Sequence, residues 1–257
     1  MVGGLRERIN TPHKISQQGT SLCGPSVYLY VLAKQYPAVY AQYIVDLFSK
    51  GEARIGNLVV KPSKACRSYD YSEESVRIHP VDWIGAASLR DSSNAIFAYD
   101  HPSDAASGIT LPSHLESWFK TSGFASSTRN TNLIFDKGIG NLAKASLKFD
   151  SGHNVCLFVG ATMLYSSAKK GLVPADHWVV MNSRPLIDGK PLSPALIKRN
   201  PDDLSDRKIS FDVYTWGHKA WSVNKFRRNL TVAEFLDYYY GFVSAGPRTG
   251  NTTGANR

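Results

Sequence analysis

One stretch limits what this chain can become: Gln17-Gln18-Gly19-Thr20-Ser21-Leu22-Cys23-Gly24-Pro25-Ser26, running directly into the apolar residues Val27 to Ala33. Gly24-Pro25 opens a helix, because proline in the first turn lacks only an N–H that would have no partner there. From Val27 to Leu32 every position is apolar or aromatic, so the helix has no polar face and must be enclosed on all sides. A cysteine is thereby set at the mouth of a buried helix, where the positive end of the helix dipole favours thiolate over thiol. Gln17 and Gln18 lie just upstream. Either amide can donate to an oxyanion forming beside the sulfur. Cys23 is the expected nucleophile. Cys66, in a polar stretch, and Cys156, in an apolar one, are expected to be structural.

The chain has 257 residues, 42% of them apolar, enough to enclose such a helix within one domain. No apolar run reaches the length of a membrane span, and Met1 to Thr11 lacks the apolar stretch of a cleavable leader. Synthesis in the cytoplasm is expected, with any export following a route that reads no leader. Three cysteines and no CxxC pair indicate neither a zinc cluster nor a disulfide framework. No metal or cofactor is expected. The net charge of +9 is scattered, with Lys169-Lys170 and Arg227-Arg228 the densest doublets, and reads as a solvated basic surface rather than a nucleic-acid site.

Read in order, residues 1–16 lack periodicity and are expected to form an extended arm. Helices follow over 24–35, stopped before Pro37, and over 37–50, ended by Gly51. Residues 53–60 form a short strand or loop, and 61–75 a polar loop. Helices are expected at 81–90 with Asp82 as cap, at 111–119 and at 141–149, with loops at 100–110 and after Gly123. From residue 150 the character changes. Strands are expected over 153–160, 172–182 and 208–216, separated by a surface excursion over 185–207 that carries Asp202-Asp203. Thr231 and Glu234 form a capping box for a helix ending near Gly241. Helices first and strands second make an α+β chain: a helical lobe over about 17–149, a strand lobe over about 150–245, and a disordered tail at 246–257.

The Gln-to-Cys segment, Asp176-His177-Trp178-Val179-Val180 and Val213-Tyr214-Thr215-Trp216-Gly217 resemble, in that order, the nucleophile helix, the histidine strand and the Trp-Gly strand of papain-like cysteine peptidases. The style of the chain is also similar to papain-like bacterial effector toxins delivered into competing cells. The resemblance implies a helical lobe and a strand lobe with the site between them. It makes His177 the partner of Cys23, about 150 residues further on, with His153 its main rival and His13, His79, His101, His114 and His218 less favoured. Gln17 matches the family's offset from the cysteine, whereas Gln18 matches its Gln-Gly pairing. Trp216 is expected to shield the histidine. Tyr214 stands where the family has the asparagine that orients the histidine, which leaves Asp212 first, then Asn182, as orienting groups, with Tyr214 as a cover.

The implied activity is peptide-bond cleavage in a protein or peptide substrate. A deamidase, transglutaminase or peptidoglycan amidase using the same pair is the alternative, and a non-enzymatic basic binding module the third. An effector toxin would also imply an immunity protein and a secretion-system carrier as partners.

Overall fold

In the computed structural model, residues 1–69, 77–93, 110–125, 128–131, 138–165, 175–199 and 204–249 are described. The buried helix is α2, Cys23–Gln35, and every residue from Cys23 to Ala33 is buried. Helix α3, Pro37–Lys50, buries Tyr40, Tyr43, Ile44 and Leu47 and leaves Phe48 exposed. Gly51 ends it in the left-handed conformation, φ +75°, its N–H reaching the Leu47 carbonyl at 3.0 Å. Residues 53–60 are a hairpin, β1 Ala53–Ile55 and β2 Leu58–Val60. The expected polar loop contains a short helix, α4 Lys64–Arg67, begun by the Ser63 side chain accepting from the Cys66 N–H.

Two expectations about the first hundred residues fail together. The arm is largely helical: α1 runs Val2–Asn10, and a 3-10 turn follows at Pro12–Lys14. Helix α5, Pro80–Ser92, is capped by His79, whose ring accepts from the Val81 N–H at 3.2 Å, and not by Asp82. Asp82 is fully buried and receives two hydrogen bonds from Arg8, at 2.7 and 2.8 Å, and one from the Ser16 N–H at 3.3 Å. A buried ion pair fastens α1, beside the partly buried Leu5 and Ile9 that pack on the core. Hydrophobic periodicity carries no sign of it.

Helices α6, Pro112–Thr121, and α7, Ile139–Asp150, complete the first part of the chain. The second part supplies β4 Asn154–Val159, α8 Thr162–Tyr165, β5 His177–Met181, β6 Leu186–Ile187, β7 Lys190–Pro191, α9 Pro194–Arg199, β8 Ile209–Ser210, β9 Asp212–Thr215, β10 His218–Ser222, α10 Val232–Asp237 and β11 Tyr239–Ala245. With β3, Thr128–Thr131, they build a six-stranded antiparallel sheet in the order β10-β9-β5-β4-β11-β3 and a small sheet in the order β7-β6-β8.

Strands β4 and β5 are buried at every position because both faces of the large sheet are covered. Cys156, Phe158, Trp178, Val180 and Tyr214 pack with α2, α3, α5 and α6 on one face. Val155, Leu157, Val159, Val179, Met181 and Val213 pack with α7, α10 and the small sheet on the other. The protein is thus α+β, but its layers do not divide at residue 150. Helix α7 lies on the far face, and β3 forms one edge of the sheet.

The excursion over 185–207 is tied down where it is described, with Ile187, Leu192 and Leu204 buried; Asp202-Asp203 and Lys169-Lys170 lie outside the described residues, as do His101 and the loop at 100–109. The expected strand over 208–216 is two strands broken at Phe211. The capping box of α10 is present, but the helix ends at Asp237, and the aromatic and β-branched residues after it form β11. Gly241 allows the bulge in that strand: its φ is +112°, and a Cβ there would lie 2.4 Å from the Asn130 carbonyl oxygen. Residues 246–249 of the expected tail pair with 123–125 through Gly246 N–H to Ala125, Ala125 N–H to Pro247 and Thr249 N–H to Gly123. Residues 250–257 lie outside the described part.

Breaking the buried pair tests its role. Asp82→Ala leaves the Ser16 N–H without its acceptor and the buried Arg8 guanidinium with only Glu7 and the Gly4 carbonyl, and is expected to cost about 3–5 kcal/mol in urea denaturation. The double variant Arg8→Met/Asp82→Leu, which removes both charges, is expected to recover most of that loss.

Candidate active site

The cleft is assembled from two stretches of chain. The first is the turn Gln17–Thr20. Gln18 and Gly19 are both left-handed, φ +44° and +79°, and the Thr20 N–H closes the turn on the Gln17 carbonyl at 3.0 Å. The Thr20 hydroxyl donates to the same oxygen at 2.7 Å. This geometry separates the two glutamines. Gln18 is exposed at the tip, and Gln17 is half-buried and lines the cleft with Thr20, Ser21 and Cys23. The turn is held from behind by the Ser16–Asp82 bond and by the Tyr214 hydroxyl, which donates to the Ile15 carbonyl at 2.5 Å.

The second stretch is the start of β5 with its neighbours. Ala161, Tyr165, Asp176, His177 and Trp216 line this side of a cleft of about 460 Å³. Cys23 is 5% exposed, and its thiol donates to the Asp176 carbonyl across 3.9 Å. Cys23 and His177 therefore open onto one cleft, the cysteine at the first turn of α2 and the histidine at the first residue of β5. Among the described residues no hydrogen bond joins thiol to imidazole. His177 is 3% exposed, its Nε2 lies 2.7 Å from Thr215 Oγ1, and its ring stacks on Trp216 at 4.8 Å and 22°.

Strand register explains which residue meets the histidine. Val180 pairs with Tyr214 and Met181 with Val213, so His177 falls level with the turn after Thr215, and Asp212 falls level with Asn182 at the far end. Side chains alternate across a strand, which puts His177 and Thr215 on one face and Tyr214 on the other. The structure thus does not bring Asp212, Asn182 or Tyr214 to His177. The Asp212 carbonyl accepts from Asn182 and Ser183 N–H groups. Asn182 accepts from the Tyr30 hydroxyl at 3.2 Å and donates to the Lys219 carbonyl. Tyr214 stacks on Tyr30 at 3.7 Å on the α2 side of the sheet. Alternation also assigns Trp216 to that side, but Trp216 and Gly217 are both left-handed, φ +47° and +78°, and form the hairpin turn between β9 and β10. The turn carries the indole round onto the imidazole.

The other expected rivals lie elsewhere. His153 precedes β4 at the end remote from His177, because Val159 is the β4 residue paired with His177. Cys156 is buried within β4, and Cys66 is buried in α4, where its carbonyl accepts from the Trp83 indole at 3.1 Å. Thr215 and Asp176 are the neighbours that sequence reasoning passed over. Thr215 was discoverable only by assigning a face to His177 before choosing among its possible partners. Among the described residues no group of three or more His, Cys, Asp or Glu side chains could hold a metal, and no helix is long and apolar enough to cross a membrane.

Burial works against one expectation, the thiolate at Cys23. Burial pushes the Cys23 thiol up to about 11, against the pull of the backbone N–H groups of Trp178, Gly24 and Cys23 itself, and the Asp176 charge adds to the rise. Burial alone lowers His177 to about 3. Enclosure thus works against the helix terminus and favours a thiol and a neutral imidazole over a thiolate–imidazolium pair.

Both shifts have signed consequences. The folded His177 stays neutral between its ordinary 6.5 and about 3, so its contribution to stability is complete above pH 6.5 and falls as pH drops toward 3. The folded Cys23 keeps its proton between 9.0 and about 11, so its contribution is complete below pH 9.0 and falls as pH rises toward 11. Iodoacetamide alkylation of Cys23, followed by peptide mass spectrometry, is expected to be slow at neutral pH and to inflect near 11. An inflection below that of an ordinary thiol would contradict the neutral resting pair.

No family model, curated protein or solved structure matches the chain in comparison with known proteins, so the functional reading rests on the cleft itself.

Proposed function

We propose that this chain is a cysteine hydrolase of papain-like arrangement that cleaves a peptide bond in a target protein. The observation that carries the reading is the shared cleft, with Cys23 at a helix start, His177 at a strand start and Gln17 on the turn beside them. In the tautomer whose Nε2–H donates to Thr215, the imidazole keeps Nδ1 as a base. Substrate binding expels water and brings a carbonyl to Cys23. His177 takes the thiol proton as sulfur attacks. The Cys23 N–H and the Gln17 side chain receive the oxyanion. His177 then gives its proton to the leaving amine, and water releases the acyl group from sulfur. Trp216 keeps bulk water from the imidazole. The resemblance to effector toxins extends the proposal to a protein delivered into another cell by a secretion-system carrier, with an immunity protein in the producer.

The test is exposure of candidate target extracts to wild type, Cys23→Ala and His177→Gln. New protein N-termini are expected with wild type, and each variant is expected to lose roughly a thousandfold or more in rate. Glutamine-to-glutamate conversion without new termini would reassign the same pair to a deamidase, and released muropeptides to a peptidoglycan amidase. Cleavage by Cys23→Ala at the wild-type rate would overturn the reading. Salt-dependent nucleic-acid binding that survived this change would favour the binding module. Thr215→Val removes one buried hydrogen bond worth about 1–1.5 kcal/mol, and is expected to lower kcat about tenfold with KM little changed.

A further inference from the structure

The cleft differs in charge from the chain that contains it. The chain carries +9, yet among the described residues lining the cleft Asp176 has the only carboxylate, and His177 is neutral. The Asp176 side chain is exposed, and its Oδ1 accepts from the Ala161 N–H at 2.8 Å, at the base of the short helix that ends in Tyr165. Its own carbonyl is the acceptor for the Cys23 thiol. Tyr165 is 54% exposed and packs on Trp216 at 5.9 Å. Carboxylate and aromatic rings therefore belong to one wall.

We propose that this wall selects substrates carrying a cationic group, alkylammonium or guanidinium, next to the scissile amide; the inference rests on the hydrolase reading and names its substrate class. Asp176 supplies the counter-charge. The Tyr165 and Trp216 rings take the aliphatic stem of a basic side chain and add a favourable field for its head group. The arrangement also couples recognition to chemistry. The Asp176 charge helps hold the proton on Cys23, and a bound cation cancels that charge, so the correct substrate eases thiolate formation in its own complex. An anionic substrate would meet the opposite field and leave the thiol protonated.

Two measurements test this, and the first needs no turnover. Cys23 is modified with a cationic and an anionic methanethiosulfonate, each rate referred to free cysteine. Wild type is expected to favour the cationic reagent about tenfold, the scale of a hydrogen bond to a charged group. Asp176→Asn should bring the ratio toward one, and Asp176→Glu should restore it. In the second, kcat/KM is compared for a peptide with lysine beside the scissile amide, its Nε-acetylated form, and a neutral peptide whose free terminal amine lies beside that amide. A fall of about tenfold on acetylation that disappears in Asp176→Asn assigns the site to basic side chains. Preference for the free amine assigns it to chain termini. Equal reagent rates in wild type and Asp176→Asn would overturn the inference and leave the hydrolase reading standing. A retained charge preference with no amide cleaved would instead support cation selection and count against the hydrolase.

Discussion

Strand β5 is enclosed on both faces, and the cleft depends on that enclosure. Trp178 faces the α2 layer, stacked on Phe158 at 4.5 Å with its indole N–H bound to the Thr110 carbonyl at 2.9 Å. His177 and Val179 face the opposite layer. A strand held this way cannot slip by one residue without exchanging its two cores, so the height and facing of the imidazole are set by packing. Helix α2, which has no polar face, packs against the same strand. The meeting of the two N-terminal ends, marked by the Cys23 thiol on the Asp176 carbonyl, follows from apolar burial on both sides of the sheet.

That burial also sets the chemistry available at rest. A helix N-terminus and three backbone N–H groups favour a thiolate at Cys23, but full enclosure works against charge on either member of the pair. A thiol in that state reacts slowly with water-borne electrophiles; on the proposed hydrolase reading it becomes competent when a bound carbonyl allows charge to form and be received in one step. Thr215 suits this arrangement: a neutral hydroxyl orients the ring without the stabilisation of imidazolium that a carboxylate would bring. The segment before Cys23 is held as firmly, through Asp82 to Ser16 and Tyr214 to Ile15, so the buried Arg8–Asp82 pair and the face of β9 opposite His177 both support the Gln17 turn.

Much of this was legible in the sequence, for reasons that differ by element. Helices α2 and α3 follow from an apolar run, two prolines and Gly51, and α10 from its capping box, all local signals. The place of Cys23 at a helix start follows from the same local signals, which left Gln17 and Gln18 undecided until the turn separated them, and the nearness of His177 and Trp216 to the cleft from the order of three short blocks. Helix α1 was illegible because a buried ion pair across more than seventy residues holds it. Strand β11 was hidden because burial on both faces erases the alternation by which strands are recognised, and the capping box just before it suggested a longer helix. Asp212 was ranked first and Thr215 was passed over because alternation was applied within β9 without the register to β5, and a turn of two left-handed residues moves Trp216 off the face that alternation assigns it. At the thiol the sequence shows the favourable dipole, while burial of the sulfur itself, which raises its pKa, emerges only from the packing.

The central claim is that Cys23 sulfur becomes bonded to the acyl half of the substrate. Rapid-quench intact-mass measurement with a peptide thioester tests it most directly, the peptide carrying lysine beside the reactive carbonyl. The expected result is a single acyl adduct in wild type, mapped to the peptide containing Cys23 and decaying as product forms. His177→Gln should form it far more slowly. Product formation with no adduct on Cys23, or an adduct mapped to another side chain, would contradict the claim.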